Sequence, residues 1–308
     1  MKTLLIPILL FITIAGSAQV FTEKIKREFV FEKRDPNNAL MVYNINGNVK
    51  IEGYAGDKII VEVERIINGK TEVRLALGKE EIQLRVLDRA DTILLYVLGP
   101  CNEFGRVNKN KNKRANRYNH NGGWDYNWNH SNDNDSECAR THHTDDMYDY
   151  KMNFTIKVPL SVNLLASTIN QGDVEVTGTS GYVNAENING SIHLKNIYGA
   201  TYAHTINGSI DINYSGNPSG DSKYYSLNGD ITAYFKKGLA AQLTFKSFNG
   251  NFYSSVDEIA PMAVTVEKYS KGEGIAYKVN GNRYKIRGGG PLLDFETFNG
   301  DVFLREQE

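Results

Sequence analysis

A tripeptide of one apolar residue followed by Asn-Gly recurs through this chain and limits its possible folds more than any other feature. The copies begin at Ile45, Ile188, Ile206, Leu227, Phe248, Val279 and Phe298, and a variant with one inserted residue begins at Ile169. From Ile169 onward the steps are 18 to 21 residues, apart from one step of 31. A period of about 20 residues is typical of an array in which one short structural unit is copied and stacked. The repeat therefore predicts a fold and names no reaction.

The positions around each Asn-Gly also repeat. After Gly190, the alternation of Ser191-Ile192-His193-Leu194 predicts a strand that places Ile192 and Leu194 on one face. A small polar residue precedes the tripeptide at Thr168, Asn187, Thr205, Ser226, Ser247 and Thr297. Two positions further back, the residue grows in size along the chain, from Ala166, Ala185 and Ala203 to Tyr224, Phe245 and Phe295. Because Asn and Gly both tolerate a positive φ, we interpret each pair as a tight corner.

Two all-β architectures fit this pattern. Each Asn-Gly could be the two-residue turn of a β-hairpin in an antiparallel meander. Alternatively, each unit of about 20 residues is one rung of a parallel β-solenoid with Asn-Gly at the same corner. We favour the solenoid, because stacked rungs place equivalent residues on top of one another and so select one residue type at each offset.

The N-terminal segment indicates export. Residues 1–18 contain Lys2, the apolar run Leu4–Ile14 and the small residues Gly16-Ser17-Ala18, which together are typical of a secretory signal peptide. An uncleaved anchor is the alternative, although the run is short for a membrane span. No cysteine follows the run to accept a lipid. We therefore expect a protein of the periplasm, cell surface or medium, without membrane insertion after cleavage. A net charge of −1 gives no reason to expect a nucleic-acid partner.

The remainder divides into three regions. Residues 19–100 form a β-rich part that we expect to pack on the solenoid, with strands predicted at Lys24–Glu32, Leu40–Ile51, Ile59–Ile66, Ile82–Leu87 and Ile93–Leu98. Within it, Thr71–Glu81 fits either a short helix or a strand. Residues 101–150 are rich in Asn, His and charge and almost free of aliphatic residues, which predicts a polar, flexible insertion. Residues 151–308 carry the repeats.

These motifs resemble the bacterial "putative adhesin" domains, exported β-solenoid proteins of Bacteroidetes-like bacteria. The resemblance rests on Val158-Pro159 before the first rung, on Gly172-Asp173-Val174-Glu175-Val176-Thr177-Gly178, on the Asn-Gly repeats and on Phe298-Asn299-Gly300-Asp301-Val302. It covers residues 150–308 well and 40–66 in part. It implies the fold and surface attachment, and it brings no catalytic or ligand-binding residues with it.

The two cysteines flank most of the insertion. In an exported chain, Cys101 and Cys138 are most simply explained as one disulfide. A metal site built from Cys138 with His142, His143, Asp145 and Asp146 is the alternative, but adjacent histidines do not match a zinc spacing. The acidic segment 133–137 lacks the Gly and the late Glu of a calcium loop. We predict no metal and no cofactor.

Both tryptophans of the chain lie in the insertion, in Trp124-Asp125-Tyr126-Asn127-Trp128. Exposed aromatic residues of this kind can stack on sugar rings or anchor a protein partner. Trp124, Tyr126 and Trp128 are therefore candidate binding residues for a glycan or an envelope protein. The alternative is a short strand whose aromatic face packs back on the solenoid.

The outward-facing charges of the repeats do not predict a catalytic centre. They are scattered over Asp173, Glu175, Glu186, His193, Lys195, His204, Asp211 and Asp230. Glu186 and His204 share one offset in neighbouring rungs, so we expect them to be adjacent on the surface, where such pairs are usually cross-strand contacts. We expect a non-catalytic adhesion-type binding or scaffold module of the cell envelope. The alternatives are a carbohydrate-active β-helix enzyme, such as a polysaccharide lyase or glycosidase, and a regulatory partner in envelope stress.

Overall fold

The computed structural model describes residues 19–99, 148–271, 274–280 and 282–307. These residues form an all-β protein with two large, mostly parallel sheets and one short helix. Strands are numbered in chain order, and those after β7 alternate between the sheets up to β18. This alternation makes each repeat contribute one strand to each sheet.

Sheet A has ten strands. The first two neighbouring pairs in the order below are antiparallel, and all the other pairs are parallel. In spatial order they are β1 (Gln19–Phe29), β4 (Ile59–Gly69), β7 (Tyr148–Pro159), β3 (Val49–Tyr54), β9 (Val174–Thr177), β11 (Ile192–Ile197), β13 (Ile210–Tyr214), β15 (Ile231–Lys236), β23 (Val302–Gln307) and β17 (Phe252–Ser254).

Sheet B has eleven strands and is parallel except for the outer strands at its two ends. In spatial order they are β18 (Ile259–Pro261), β21 (Arg283–Ile286), β16 (Ala241–Asn249), β22 (Leu292–Asn299), β14 (Ser222–Asn228), β12 (Thr201–Asn207), β10 (Val183–Asn187), β8 (Asn163–Thr168), β2 (Ala39–Tyr43), β6 (Thr92–Leu98) and β5 (Gln83–Asp88).

A separate hairpin pairs β19 (Thr265–Lys271) with β20 (Gly274–Asn280). It contains Asn280, so the Asn-Gly copy that begins at Val279 lies outside the two large sheets. The interval of 31 residues before this copy already sets it apart in the sequence. The repeats of residues 151–308 are therefore interrupted at residues 259–286, where the described residues form the hairpin and two antiparallel strands.

The core lies between the two sheets and follows the alternation predicted from the sequence. On sheet B, Ala185 pairs in register with Ala203, Ala203 with Tyr224 and Tyr224 with Phe295, and all four are fully buried. The rings of Tyr224 and Phe295 stack at 4.6 Å. The growth in size of this position along the chain therefore corresponds to a column whose side chains widen from β8 to β22.

The N-terminal end of the stack is covered by helix α1 (Glu72–Glu81), which packs on β4 and β7. The Thr71 side chain caps the helix by accepting a hydrogen bond from the Arg74 amide. The segment for which helix and strand both fitted the sequence is thus a helix. The strands of residues 19–99 share both sheets with the repeats, because β2 pairs with β8 and β3 pairs with β9.

The order of the repeats in space differs from their order in the chain. β22 lies between β14 and β16 in sheet B, and β23 lies between β15 and β17 in sheet A. The last repeat of the sequence is therefore inserted before the repeat that contains Asn249. The predicted region boundary at residue 150 is also shifted slightly, since β7 begins at Tyr148.

Candidate functional site

The Asn-Gly pairs lie where a strand of sheet B leads into a strand of sheet A, and the asparagines form a continuous ladder. The side-chain amide of Asn207 donates to Asn189 at 2.8 Å, and that of Asn228 donates to Asn207 at 2.9 Å. The same bond joins the full series Asn170, Asn189, Asn207, Asn228, Asn299 and Asn249. The ladder accounts for Asn at this position, because its side-chain amide donates to one neighbour and accepts from the other.

The glycines are required by close stacking of the corners. A Cβ placed on Gly208 would lie closer than 3.0 Å to the carbonyl group of Gly190, and one on Gly190 would meet the carbonyl oxygen of Gly172. Gly208 and Gly190 do not have a positive φ, whereas Gly229 and Gly300 do. The expectation that Gly208 is selected for a left-handed backbone is therefore wrong, and contact with the neighbouring backbone is the cause.

The small polar residue before the tripeptide bonds to the corner of the preceding repeat at Thr168, Asn187, Thr205 and Ser226, whereas the hydroxyls of Ser247 and Thr297 have no hydrogen-bond partner among the described residues. Thr205 donates its hydroxyl hydrogen to the Gly190 carbonyl at 2.8 Å, and Ser226 donates to Gly208 at 2.9 Å. Both residues are fully buried. A short hydroxyl side chain satisfies a carbonyl that the corner would otherwise leave without a partner in the protein interior.

The apolar residues of the tripeptides face outward. Ile188, Ile206 and Leu227 are only partly buried, while Phe248 and Phe298 are 73% and 45% exposed. The registers on either side align Ile206, Leu227, Phe298 and Phe248 in one column, and the rings of Phe248 and Phe298 stack at 4.8 Å. The column runs along the outside of the molecule beside the Asn ladder, so these residues are not core positions.

A second outward feature is a cluster of polar and aromatic side chains on sheet B, which we call the sheet-B patch: Asn184, Glu186, Tyr202, His204 and Tyr225. Glu186 is the register partner of His204, as expected from their shared offset, and His204 is the register partner of Tyr225. The His204 ring lies 4.8 Å from the Tyr225 ring and 6.3 Å from the Tyr202 ring, both edge to face. Two tyrosines therefore enclose one imidazole.

Burial shifts the pKa values of the sheet-B patch toward neutral side chains. Desolvation raises the pKa of the Glu186 carboxyl, against a smaller opposing effect from its hydrogen bond with Asn184. Desolvation also lowers the pKa of His204, and the positive charge of Lys223 lowers it further. The pKa of the Tyr202 hydroxyl rises, mainly through burial and then through the negative charge of Glu186. The patch therefore favours uncharged hydrogen-bonding groups.

One acceptor in the sheet-B patch has no partner among the described residues. Asn184 is 3% exposed, and its Nδ2 donates to Glu186 Oε1 at 3.1 Å, but its Oδ1 receives no hydrogen bond. A buried carbonyl oxygen without a donor costs about 1–3 kcal/mol. The Asn184 side chain thus helps to position Glu186, and its own oxygen is enclosed by the fold.

The corresponding outer face of sheet A differs in character. There His193 Nδ1 lies 3.2 Å from Asp211 Oδ2, and Lys50 pairs with Glu175 at 3.4 Å. Both contacts are cross-strand pairs of partly exposed side chains, which contribute little individually. Sheet A thus presents ordinary paired charges, whereas the sheet-B patch presents shielded neutral groups.

A groove of about 330 Å³ lies at the N-terminal end of the stack, between β1 and β5. Its buried cation, Arg65, donates to the Ile82 carbonyl at 2.7 Å and pairs with Glu23 at 2.6 Å. The Phe21 ring also contacts the guanidinium, at 5.5 Å. We interpret this arginine as a link between helix α1 and β1, because most of its hydrogen-bonding capacity is used inside the fold.

The binding residues predicted from the sequence lie outside the described part of the chain. This applies to Trp124, Tyr126 and Trp128, and to the Cys101–Cys138 disulfide, so all of these stay predictions. The signal peptide at residues 1–18 is also outside it. Within residues 19–99 and 148–307, as far as described, no group of three or more His, Cys, Asp or Glu residues is placed to hold a metal ion. In the same residues no helix is long and apolar enough to cross a membrane.

The adjacency of Glu186 and His204 was predicted from their shared offset, whereas the other residues of the sheet-B patch were not predicted. Tyr202 and Tyr225 occupy outward offsets that could have been read from the period-2 alternation. Asn184 gave no signal, because its neighbours in register are Leu165 and Tyr202 and the column shares no residue type.

No family model and no curated protein matches this chain. Two solved structures are similar to it. A "putative cell adhesion protein" from Clostridium sporogenes is 12% identical with a TM-score of 0.37, covering 92% of this chain and 100% of its own. A "putative adhesin" from Bacteroides fragilis is 10% identical with a TM-score of 0.34, covering 92% of this chain and 97% of its own. Both descriptions agree with the family that the motifs resemble, but a likeness at this level carries no argument about function.

Proposed function

We propose that this chain is an exported β-solenoid that serves as an adhesion-type binding module of the cell envelope, with the sheet-B patch as a glycan-binding surface. The observation that carries the proposal is the patch itself. Tyr202 and Tyr225 offer aromatic rings, while Glu186 and His204 offer hydrogen-bonding groups at the same place. A few fixed polar groups among aromatic side chains are typical of small-ligand sites.

The desolvation of Glu186 and His204 supports a sugar over a charged ligand. Hydroxyl groups of a sugar donate and accept single hydrogen bonds, which the side chains of Glu186 and His204 can complement. A cationic ligand would need Glu186 ionised, against the desolvation that raises its pKa. An anionic ligand would need a cation, but His204 is shifted toward its neutral form.

Within the row that contains Glu186, the spacing of the carboxylates favours binding over glycoside hydrolysis. Along the row that contains Glu186, the register runs through His204 and Tyr225 to Glu296. These residues span three strand intervals, or roughly 14 Å at the usual spacing of strands. Hydrolases place their two carboxyl groups about 5–9.5 Å apart. Export is supported by the N-terminal segment, with its apolar run and small residues.

The experiment is a glycan-binding measurement on the full-length exported protein, using an array of envelope and host polysaccharides. We expect binding that falls at least tenfold in a Tyr202→Ala, Tyr225→Ala double variant. The matched control is Tyr198→Ala, because Tyr198 is 53% exposed and lies outside the sheet-B patch. Binding that is equal in both variants, with unchanged melting temperatures, would disprove the assignment of the patch.

A parallel assay addresses catalysis. Each polysaccharide that binds is incubated with the protein, and new reducing ends and unsaturated uronates are measured. We expect no turnover. Release of either product, lost in a Glu186→Gln variant, would replace the binding proposal with a carbohydrate-active enzyme.

A further inference from the structure

At the end of the stack opposite helix α1 lies a repeat whose outer edge pairs with no described residue over most of its length. This repeat runs from Phe245 through the Asn249-Gly250 corner to Ser254. Within the described residues, β16 has an outer partner only over Ala241–Thr244, where β21 pairs with it. β17 is the last strand of sheet A. We call residues 245–254 the open edge.

The repeat pattern shows which contacts are missing there. The side-chain amides of Asn189, Asn207, Asn228 and Asn299 are used in both directions, whereas Asn249 donates to Asn299 and receives no ladder bond from a described residue. Similarly, the amide of Asn251 donates to Asp301, while no described residue donates to the Asn251 side chain in the corresponding way. The open edge is therefore the growing end of a hydrogen-bonded ladder that stops without a terminating side chain.

Apolar side chains accompany the open edge on both sheets. Phe248 and Tyr253 are 73% and 48% exposed, and they stack on Phe298 and Phe303 respectively. Phe245 and Phe252 lie partly buried at the end of the core, with ring centroids 5.4 Å apart. An unpaired, apolar edge is an established site for strand addition or association, and proteins that avoid it place charges or proline there.

The two ends of the molecule differ in this protection. β1, the edge strand at the N-terminal end of sheet A, carries Lys24, Lys26, Arg27 and Glu28 and lies beside the helix-covered end of the core. The open edge contains a single charged residue, Lys246. The N-terminal edge therefore carries the charges that oppose association, whereas the open edge does not.

We propose that the open edge pairs with the open edge of a second copy of this chain, joining two molecules end to end about a two-fold axis. A two-fold axis perpendicular to the two sheets sets β16 antiparallel to its copy and, at the same time, β17 antiparallel to its copy. Both sheets then continue across the contact. The exposed aromatic residues of one open edge then face the open edge of the other molecule. An isologous contact of this kind needs one self-complementary surface, which is what a closed dimer uses.

Features of the edge favour a second copy over a foreign strand. The partner must present unpaired backbone on both sheets, on either side of one corner, and the open edge itself has this form. With one charged residue per molecule, pairing brings little like-charge repulsion. β21 occupies the first half of the β16 edge, so it would limit how far the second molecule can slide and would set the register.

The test is the mass of the full-length exported protein by sedimentation over a range of concentrations. We expect a dimer with twice the mass of the chain, and a rise of at least tenfold in its dissociation constant in a Phe248→Lys, Tyr253→Lys variant. Tyr198→Lys is the matched control, because it adds a charge at an equally exposed tyrosine away from the open edge. Circular dichroism melts show whether the variants are folded.

Hydrogen exchange of the wild-type protein locates the contact without mutation. Amides of residues 245–254 should exchange more slowly at high protein concentration than after dilution, whereas those of residues 19–29 should not change. A wild-type protein that is monomeric at all concentrations overturns the proposal. So does a dimer that both lysine variants leave intact, or one whose protected amides lie in β1.

Discussion

Replacing Gly208 by alanine tests whether steric contact, rather than backbone conformation, selects glycine at the corners. The added methyl group would lie closer than 3.0 Å to the carbonyl group of Gly190. Since this neighbour is backbone, it cannot rotate away, and the corner must move. Overpacking of this kind costs about 1–3 kcal/mol. A shift of Gly190 also weakens the hydrogen bond from Thr205, which is worth about 0.5–1.5 kcal/mol.

The expected loss is therefore about 2–4 kcal/mol in the free energy of unfolding, measured by urea denaturation monitored by circular dichroism. Gly288→Ala is the control. Gly288 has no positive φ and no atom within 4 Å of an added Cβ, so its replacement should change the free energy by less than about 0.5 kcal/mol.

A Gly208→Asn variant separates the two explanations. Asparagine tolerates a left-handed backbone better than alanine does, so it would restore stability if φ were the cause. If contact with Gly190 is the cause, Asn is at least as destabilising as Ala. A Gly208→Ala protein as stable as wild type, or an Asn variant clearly more stable than the Ala variant, would refute the steric argument.

Four further changes test the corner and the sheet-B patch. Asn207→Ala removes two ladder bonds and should cost about 1–2 kcal/mol in urea unfolding, whereas a loss below 0.3 kcal/mol would mean that the exposed ladder adds nothing. Ile206→Ala should cost about 1 kcal/mol, against about 2–5 kcal/mol for the fully buried Ile210→Ala, and equal losses would contradict the outward column. The pKa of His204 is lowered on folding, so its contribution to stability is present above its ordinary value of 6.5 and is lost as pH falls, and thermal melts should show less acid sensitivity in His204→Gln. The pKa of Glu186 is raised, so its contribution is present below 4.5 and is lost as pH rises, and Glu186→Gln should be the more stable protein at neutral pH; melts that show no difference at either pH would contradict both shifts.

Much of the fold could be predicted from the repeat alone. The all-β class, the parallel pairing of strands such as β10 and β12, the widening core column and the proximity of Glu186 and His204 all followed from residues that recur at fixed offsets. The reason is physical: in stacked parallel strands, equivalent positions meet their own kind, so a local pattern specifies a non-local contact.

Other features could not be obtained in this way. The sequence does not distinguish a glycine needed for positive φ from one needed for close contact, because both leave the same residue at the same offset. Hydrophobicity alone also does not show that Ile206 and Leu227 are turned outward at the corner. Tyr202, Tyr225 and Asn184 become one patch only when three strands are laid side by side.

The repeat pattern is enough to specify the repeating unit: a strand, an Asn-Gly corner and a second strand, with a small polar residue and a core side chain at fixed offsets. The spatial order of the units is visible only in the folded protein, where the repeat containing Asn299 lies between those of Asn228 and Asn249. Each unit offers nearly the same edge to its neighbours, so the local pattern permits several orders. The choice among them depends on long-range packing, such as the stacking of Phe295 on Tyr224, and that packing leaves the repeat of residues 245–254 at the open end.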